Sequence, residues 1–332
     1  MKIKIGLVGA NGFIGLELIR LIASHPDIEI KYIFKHKKKL EEEFNHLRDF
    51  GLDKYQTTKI DDLKDCDCVF LSLPQNESSE YLRSLFGKTK IIDLGSDNRI
   101  LNQKLYRQYY DGEFNEDINS QFVYGFLEKN KSIIQNAKNV SNPGCFALCV
   151  QMSILPIFKQ IKSVDFFAIT GASGGGKAPI VKNHHSIRSK DIFSYNINKH
   201  RHLAEIFQSF PNLNLSNFTF VPTSGPFVRG IFLNSVVELK DDIVDEVIEK
   251  NYKNFINENI FIRKQEEIKL SNVVGSNFFD LNLIKISNTK LIIQSCLDNL
   301  IKGAAGNSIE CMNVMFGLRQ DEGLKNLLPV YI

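Results

Sequence analysis

Long apolar runs are missing from this sequence. None reaches the roughly 20 residues that a membrane-spanning helix requires, and the N-terminus enters a strand-like segment, KIKIGLVG, where a signal peptide would carry its apolar core. Cysteine is sparse. The six present, Cys66, Cys68, Cys145, Cys149, Cys296 and Cys311, show no C-x-x-C spacing, so neither a disulfide framework nor a zinc-finger-type site is expected and all six read as thiols. A net charge of +3 over 332 residues comes without the long basic face of a nucleic-acid binder. Internal repeats and low-complexity segments are absent too. These absences leave a soluble, cytosolic chain whose length and 43% hydrophobic content suit a two-lobed enzyme.

The first third alternates short apolar runs with helical stretches: KIKIGLVG, a helix from about Gly12 to Ser24, IEIKYIF, then DCVFLSLP and KIIDLG. That pattern predicts an α/β lobe, a Rossmann-type doubly wound parallel sheet. His25-Pro26 ends the first helix, because proline disfavours helical geometry in the residue before it. The polar segment Lys37 to Lys59 shows no clear period. From Val164 the texture changes to longer alternating strands, VDFFAIT, NFTFVPT, GIFLNSVVEL and KLIIQSCLDN, with a helix around Ile243 to Asn257. A second α+β domain with a largely antiparallel sheet follows, of a kind that often forms a subunit interface. The expected boundaries are 1–144 for the first domain, completed by a C-terminal helix within about 298–332, and 145–297 for the second. Ala304, Ile309, Met312 and Met315 have helical spacing in that last segment.

In GLVGANGFIG, Gly9, Gly12 and Gly15 fall three residues apart where the first strand becomes a helix. Glycines there allow a tight turn and let backbone N–H groups and the helix N-terminus approach a dinucleotide pyrophosphate, so Gly9, Gly12 and Gly15, with Phe13 at the helix start, are the candidate cofactor contacts. NAD-preferring sites usually place an acidic residue at the end of the second strand. This chain has Phe34-Lys35-His36-Lys37 instead, and Lys35 and Lys37 would pair with a 2′-phosphate, which favours NADP.

The segment VSNPGCFALC sets Cys145 behind Asn-Pro-Gly at the start of a helix expected from near Phe146. A helix N-terminus favours the thiolate, and the same first-turn N–H groups suit an oxyanion. Cys149, one turn deeper, reads as packing. NKHRHLAEIF adds His200, Arg201, His202 and Glu205. One of the two histidines would move the proton, with Glu205 orienting it; a metal is not expected, because H-x-H lacks an assured third ligand, even with His184-His185 nearby. In GASGGGKA, Gly171, Ser173, Gly174 and Gly176 offer backbone donors and Lys177 a charge, for a phosphate of either the cofactor or the substrate. Arg99, Arg201 and Arg229 are the candidate cations for a substrate carboxylate or phosphate, with Asn142 and Glu205 as further substrate contacts.

The glycine loop, SNPGC, GASGGGK, HRHLAEI, VPTSGPFVRGIF and DNLIKGAAGNSIECMNVMFGL occur in an order that resembles the N-acetyl-gamma-glutamyl-phosphate reductases of arginine biosynthesis, over nearly the whole chain. The resemblance implies NADPH-dependent reduction of that acyl phosphate to the semialdehyde through a thioacyl group on Cys145. His202 would be the acid/base with His200 close by. Asn11, with Gly9, Gly12 and Gly15, would face the pyrophosphate, Ser173 and Gly174 would lie near the cofactor and Asn299 near the nicotinamide carboxamide, and the last helix would pack back on the nucleotide lobe. It further implies a small-molecule acyl-phosphate substrate, a homo-oligomer, and no nucleic-acid or membrane partner. Asn98 in Ser-Asp-Asn-Arg, and Thr223-Ser224-Gly225, depart from the family pattern in candidate substrate loops. Three rivals stand beside this reading. Reduction of a carrier-bound aminoadipyl phosphate differs mainly in those loops, aspartate-semialdehyde dehydrogenase lacks the His-Arg-His block, and an NADP-binding regulator would not need an intact Cys145 and His202.

Overall fold

A computed structural model describes residues 2–34, 40–178, 181, 184–240 and 245–330. The chain divides into two compact units, one of Met1–Leu101, Gly112–Pro143 and Ala304–Asn326, the other of Asn102–Asp111, Gly144–Gly303 and Leu327–Ile332.

The first unit is built on β1 (Ile3–Val8), β2 (Ile28–Phe34), β3 (Gln56–Thr57), β4 (Cys68–Leu71), β5 (Lys90–Asp93), β6 (Val123–Tyr124) and β7 (Asn139–Ser141). They form a seven-stranded sheet in the order β3-β2-β1-β4-β5-β7-β6, with every neighbouring pair parallel. Runs such as Cys68–Leu71, buried at every position, have no polar face because a parallel sheet of this kind is covered on both sides. From β1 the chain moves outward to β3 and then returns to β4 on the other flank of β1. This reversal opens a crevice beyond the ends of β1 and β4, the place where doubly wound sheets take ligands.

Gly9 leaves β1 at that crevice with φ +80°, so near β4 that a Cβ would stand 2.1 Å from the Ser72 carbonyl oxygen. Helix Phe13–Ser24 follows, with Gly12 at its cap and no side chain bonded there. Such an end presents first-turn N–H groups to an anion. Gly15 lets the helix rest on the loop, since a Cβ there would be 2.3 Å from the Gly9 oxygen and 2.6 Å from the Ala10 α-carbon. His25, before Pro26, is extended at φ −82° and ψ 133°, as the proline dictates. The segment after Leu40, without a clear period in the sequence, folds as a short helix (Leu40–Glu43), two 3-10 turns (Asn45–Phe50 and Leu52–Tyr55) and the edge strand β3. Lys35 and Lys37 lie outside the described residues. Helix Gly306–Met315 is buried along its whole length, and Asn307 Nδ2 donates to the Gly125 carbonyl (3.0 Å) and to Asn142 Oδ1 (2.8 Å).

The second unit carries β8 (Ile161–Thr170), β9 (Phe193–Ser194), β10 (Phe218–Ser224), β11 (Ile231–Leu239), β12 (Ile262–Lys264), β13 (Phe279–Ser287) and β14 (Lys290–Leu297). Their order is β12-β13-β14-β11-β8-β10-β9. Antiparallel pairing predominates, with β8–β10 and β12–β13 the parallel pairs. Alternation is strict in β11, where Ile231, Leu233, Ser235, Val237 and Leu239 are buried and the residues between are not. The inner face receives helix Cys145–Ile154, joined by a Ser153–Ser235 hydroxyl contact of 3.2 Å. On the other face Phe167 is 47% exposed.

Two glycines of the first loop should therefore respond differently to an added methyl group. Gly15→Ala meets backbone atoms and should destabilise the chain by about 1–3 kcal/mol, whereas at Gly12 the nearest atom to a new Cβ is 3.7 Å away and the effect should stay within about 0.5 kcal/mol. Urea denaturation of both variants measures the contrast.

Candidate active site

Asn-Pro-Gly turns the chain from β7 into helix Cys145–Ile154, with extended Gly144 as its cap. The helix begins one residue earlier than the sequence suggested, so Cys145 itself is its first residue. Among the six thiols it alone is partly exposed. Burial raises the Cys66 thiol to about 12 and pushes Cys68, Cys149 and Cys296 up as well, which makes them poor thiolates at neutral pH. Gly303 packs directly on this cysteine, since a Cβ there would come within 2.8 Å of Cys145 Cβ.

Helix His202–Ser209 supplies the facing groups. Glu205 is fully buried, and its Oε2 accepts the Gly144 N–H at 2.8 Å while Oε1 accepts from the Tyr110 hydroxyl at 3.4 Å. Oε1 also stands 3.9 Å from His202 Nε2. The His202 ring lies against Gly144 so closely that a Cβ there would be 2.3 Å from Nε2, so the glycine before Cys145 makes room for the imidazole. His200 sits behind it, ring centroids 4.5 Å apart. The His202 backbone N–H donates to His200 Nδ1 at 3.2 Å, which leaves the proton of neutral His200 on Nε2. Burial first, and the Arg201 charge second, lower the His200 pKa to about 4. His200 is neutral at pH 7.

Several sequence expectations change on inspection of the contacts. The loop Gly171–Gly176 does not offer its N–H groups to a phosphate: Gly171, Ser173, Gly174 and Gly176 donate to the carbonyls of Gly230, Val228, Gly171 and Ser173. It folds as a 3-10 turn, Ala172–Gly175, against the 227–230 segment, where a Cβ on Gly171 would be 2.4 Å from the Val228 oxygen. Gly171 serves packing. Asn299 Oδ1 accepts the Gly230 N–H at 2.7 Å and its Nδ2 donates to Ser173 Oγ at 3.0 Å, so Asn299 and Ser173 are brought together. Arg229 is ion-paired to fully buried Asp298 at 3.0 Å, and Arg201 is exposed. In the first unit Arg99 is buried with Nη2 on the Leu94 carbonyl at 2.9 Å. Asn142, expected among the substrate contacts, instead donates to the Pro143 carbonyl and accepts from Asn307. Glu205, expected there too, is enclosed beneath the histidine.

Sequence reading missed three residues. Tyr110 lies 95 residues from the Glu205 it touches, a separation with no local signal. Asp298 holds Arg229 and also accepts from the N–H groups of Gly275, Leu300 and Ile301; its place beside Asn299 was the available hint. The third is Arg188, 4% exposed, which follows no recognisable motif.

Two family models describe a single class of protein. Residues 4–137 match the semialdehyde dehydrogenase NAD binding domain and residues 145–299 the semialdehyde dehydrogenase dimerisation domain. Solved structures of similar fold include aspartate semialdehyde dehydrogenase II of Vibrio cholerae, with TM-score 0.69 and 12% identity over 96% of this chain and 99% of that one. The aspartate semialdehyde dehydrogenase of Francisella tularensis gives 0.68 and 15% over 95% and 100%. Curated relatives are closer in sequence. An N-acetyl-gamma-glutamyl-phosphate reductase of Campylobacter jejuni is 35% identical over 98% of both chains, and one of Lachnoclostridium phytofermentans 32% identical over 99% of both. The chain belongs to the N-acetyl-gamma-glutamyl-phosphate reductase family, and as such is an oxidoreductase with a nicotinamide-cofactor domain.

Neutral His200 has a consequence for acid stability. Its pKa falls from 6.5 to about 4 on folding, so between those values the unfolded chain binds more protons; the contribution of the neutral ring is intact above pH 6.5 and lost as pH falls toward 4. His200→Gln should flatten the acid limb of stability across that window, as followed by urea denaturation at a series of pH values. An unchanged slope would contradict the burial of a neutral imidazole.

Proposed function

We propose that the chain reduces N-acetyl-gamma-glutamyl phosphate to N-acetylglutamate semialdehyde, with NADPH as reductant, in arginine biosynthesis. The observation that carries this reading is the lone accessible thiol, Cys145, at a helix N-terminus beside the Glu205–His202–His200 group. The names of relatives at 32–35% identity support this choice of acyl group. Solved aspartate semialdehyde dehydrogenases, at 12–15%, share the fold alone.

In the proposed chemistry the Cys145 thiolate attacks the acyl carbon, the C–O bond to phosphate breaks, and a thioester on Cys145 results. First-turn N–H groups of helix Cys145–Ile154 face the oxyanion. The nicotinamide, when bound, supplies a hydride to the thioester carbon. His202, held toward Glu205, accepts the thiol proton at the outset and returns one as the C–S bond breaks. His200 fixes the backbone of His202 through its Nδ1. For the cofactor, the close backbone approaches at Gly9 and Gly15 fit a pyrophosphate loop formed with Asn11, Gly12 and Phe13, and Lys35 and Lys37 are assigned to a 2′-phosphate. Ser173, Gly174 and Asn299 are assigned to the nicotinamide end. Arg99 and Arg201 are assigned to the substrate phosphate. Residues 1–144 with the C-terminal helix thus hold cofactor, and 145–297 carry the chemistry. The sheet face bearing Phe167 is assigned to a homo-oligomeric contact, and the cytosol is the assigned compartment; among the described residues no helix is long and apolar enough to cross a membrane.

The reverse, oxidative assay with NADP and phosphate tests this. N-acetylglutamate semialdehyde should be the better substrate, and activity on aspartate semialdehyde alone would overturn the reading. Cys145→Ser should abolish turnover while cofactor affinity, measured by fluorescence titration, stays near wild type. His202→Asn should lower kcat by about 100- to 10,000-fold. Equal use of NAD would remove the role given to the two lysines.

A further inference from the structure

Arg188 ends the short helical turn His185–Arg188 and is 4% exposed. Its Nη2 donates to Ser224 Oγ at the end of β10, and its guanidinium lies over the Phe193 ring, 5.3 Å from the centroid. The pairing of β9 with β10 sets Phe193 opposite Ser224, which builds a rigid holder for the planar group. Yet Nε and Nη1 are buried without a hydrogen-bond partner. The acid that acts on Arg188 through space, Asp191, is exposed to solvent. A buried guanidinium with two nitrogens lacking an acceptor and, among the described residues, only an exposed acid to balance its charge is costly, and the oxygens of a ligand would satisfy it.

The place of Arg188 in the second unit says which ligand group that is. Tyr195, two residues beyond Phe193, is within electrostatic range of Cys145, Arg188 and Arg201, and its ring is 5.8 Å from that of His200. Arg188 and the thiol thus share Tyr195 as a neighbour within electrostatic range. The proposed substrate has two anionic ends: the phosphate on the reacting carbon and a carboxylate a short carbon chain away. Phosphate must leave to solvent in each turnover, and a buried guanidinium would retain it. The carboxylate stays with the substrate through both half-reactions, and its two oxygens suit the planar donors of arginine.

We propose that Arg188 anchors the substrate carboxylate, an assignment that rests on the acyl-phosphate reading above. Arg188 is then a substrate-binding residue that fixes where the acyl carbon stands relative to Cys145.

The reverse reaction separates the two anions, because semialdehyde and phosphate are independent substrates there. Arg188→Gln should raise KM for N-acetylglutamate semialdehyde about 10- to 100-fold and leave KM for phosphate unchanged, with Arg188→Lys intermediate. Against 4-acetamidobutanal, which lacks the carboxylate, wild type and Arg188→Gln should have equal kcat/KM. A rise confined to KM for phosphate, or no change in either KM, would overturn the assignment. So would loss of cooperative thermal melting in both variants, which would make Arg188 a structural residue. If wild-type protein fails on N-acetylglutamate semialdehyde, it is the acyl-phosphate reading that falls.

Discussion

A buried hydrogen bond from the Gly144 N–H to Glu205 Oε2, 2.8 Å long, joins the turn that presents Cys145 to the helix that carries the imidazole of His202. An enclosed carboxylate is costly unless its oxygens find donors. Here one oxygen takes the last N–H before Cys145, and the other takes the Tyr110 hydroxyl and faces His202. Helix Cys145–Ile154 and helix His202–Ser209 are thereby fixed in one geometry, reinforced below by Gln151 Nε2 donating to the Glu205 carbonyl at 3.0 Å and to Ser209 Oγ at 2.8 Å. Glycine at 144 is required by the same arrangement, because a side chain there would occupy the place of the His202 ring.

The second unit spends its polar groups on holding loops. Asp298 gathers three backbone N–H groups and Arg229, and Asn299 ties Gly230 to Ser173. The glycine-rich turn at 171–176 is thus a fitted part of the framework. Arg188 departs from this economy: its guanidinium is held by Ser224 and Phe193 but is not satisfied by them.

Much of this was legible in the sequence where the signal is local. The apolar runs of β1, β2, β4 and β5 and the alternation of β11 follow from a covered parallel sheet and a half-covered antiparallel one. Cys145 was legible because Pro-Gly before a thiol and an apolar helix after it is a local pattern. The backbone contacts of the loop at 171–176 were not legible, because glycine spacing marks close backbone approach without saying whether a phosphate or another segment approaches. Tyr110, Asp298 and Arg188 were illegible for a different reason. Their meaning lies in contacts with Glu205, Gly275 and Ser224, set by tertiary folding; the block that contains Asp298 gives its place without saying what it holds.

Everything proposed for the site depends on a covalent bond between the Cys145 sulfur and the acyl carbon. Intact-mass spectrometry of the protein, mixed with N-acetyl-gamma-glutamyl phosphate in the absence of NADPH, measures that bond directly. A thioester route predicts a gain in mass equal to one N-acetylglutamyl group, mapped by proteolysis to the peptide containing Cys145 and discharged when NADPH is added. Reduction at a normal rate with no adduct, or an adduct that persists in Cys145→Ser, would contradict it.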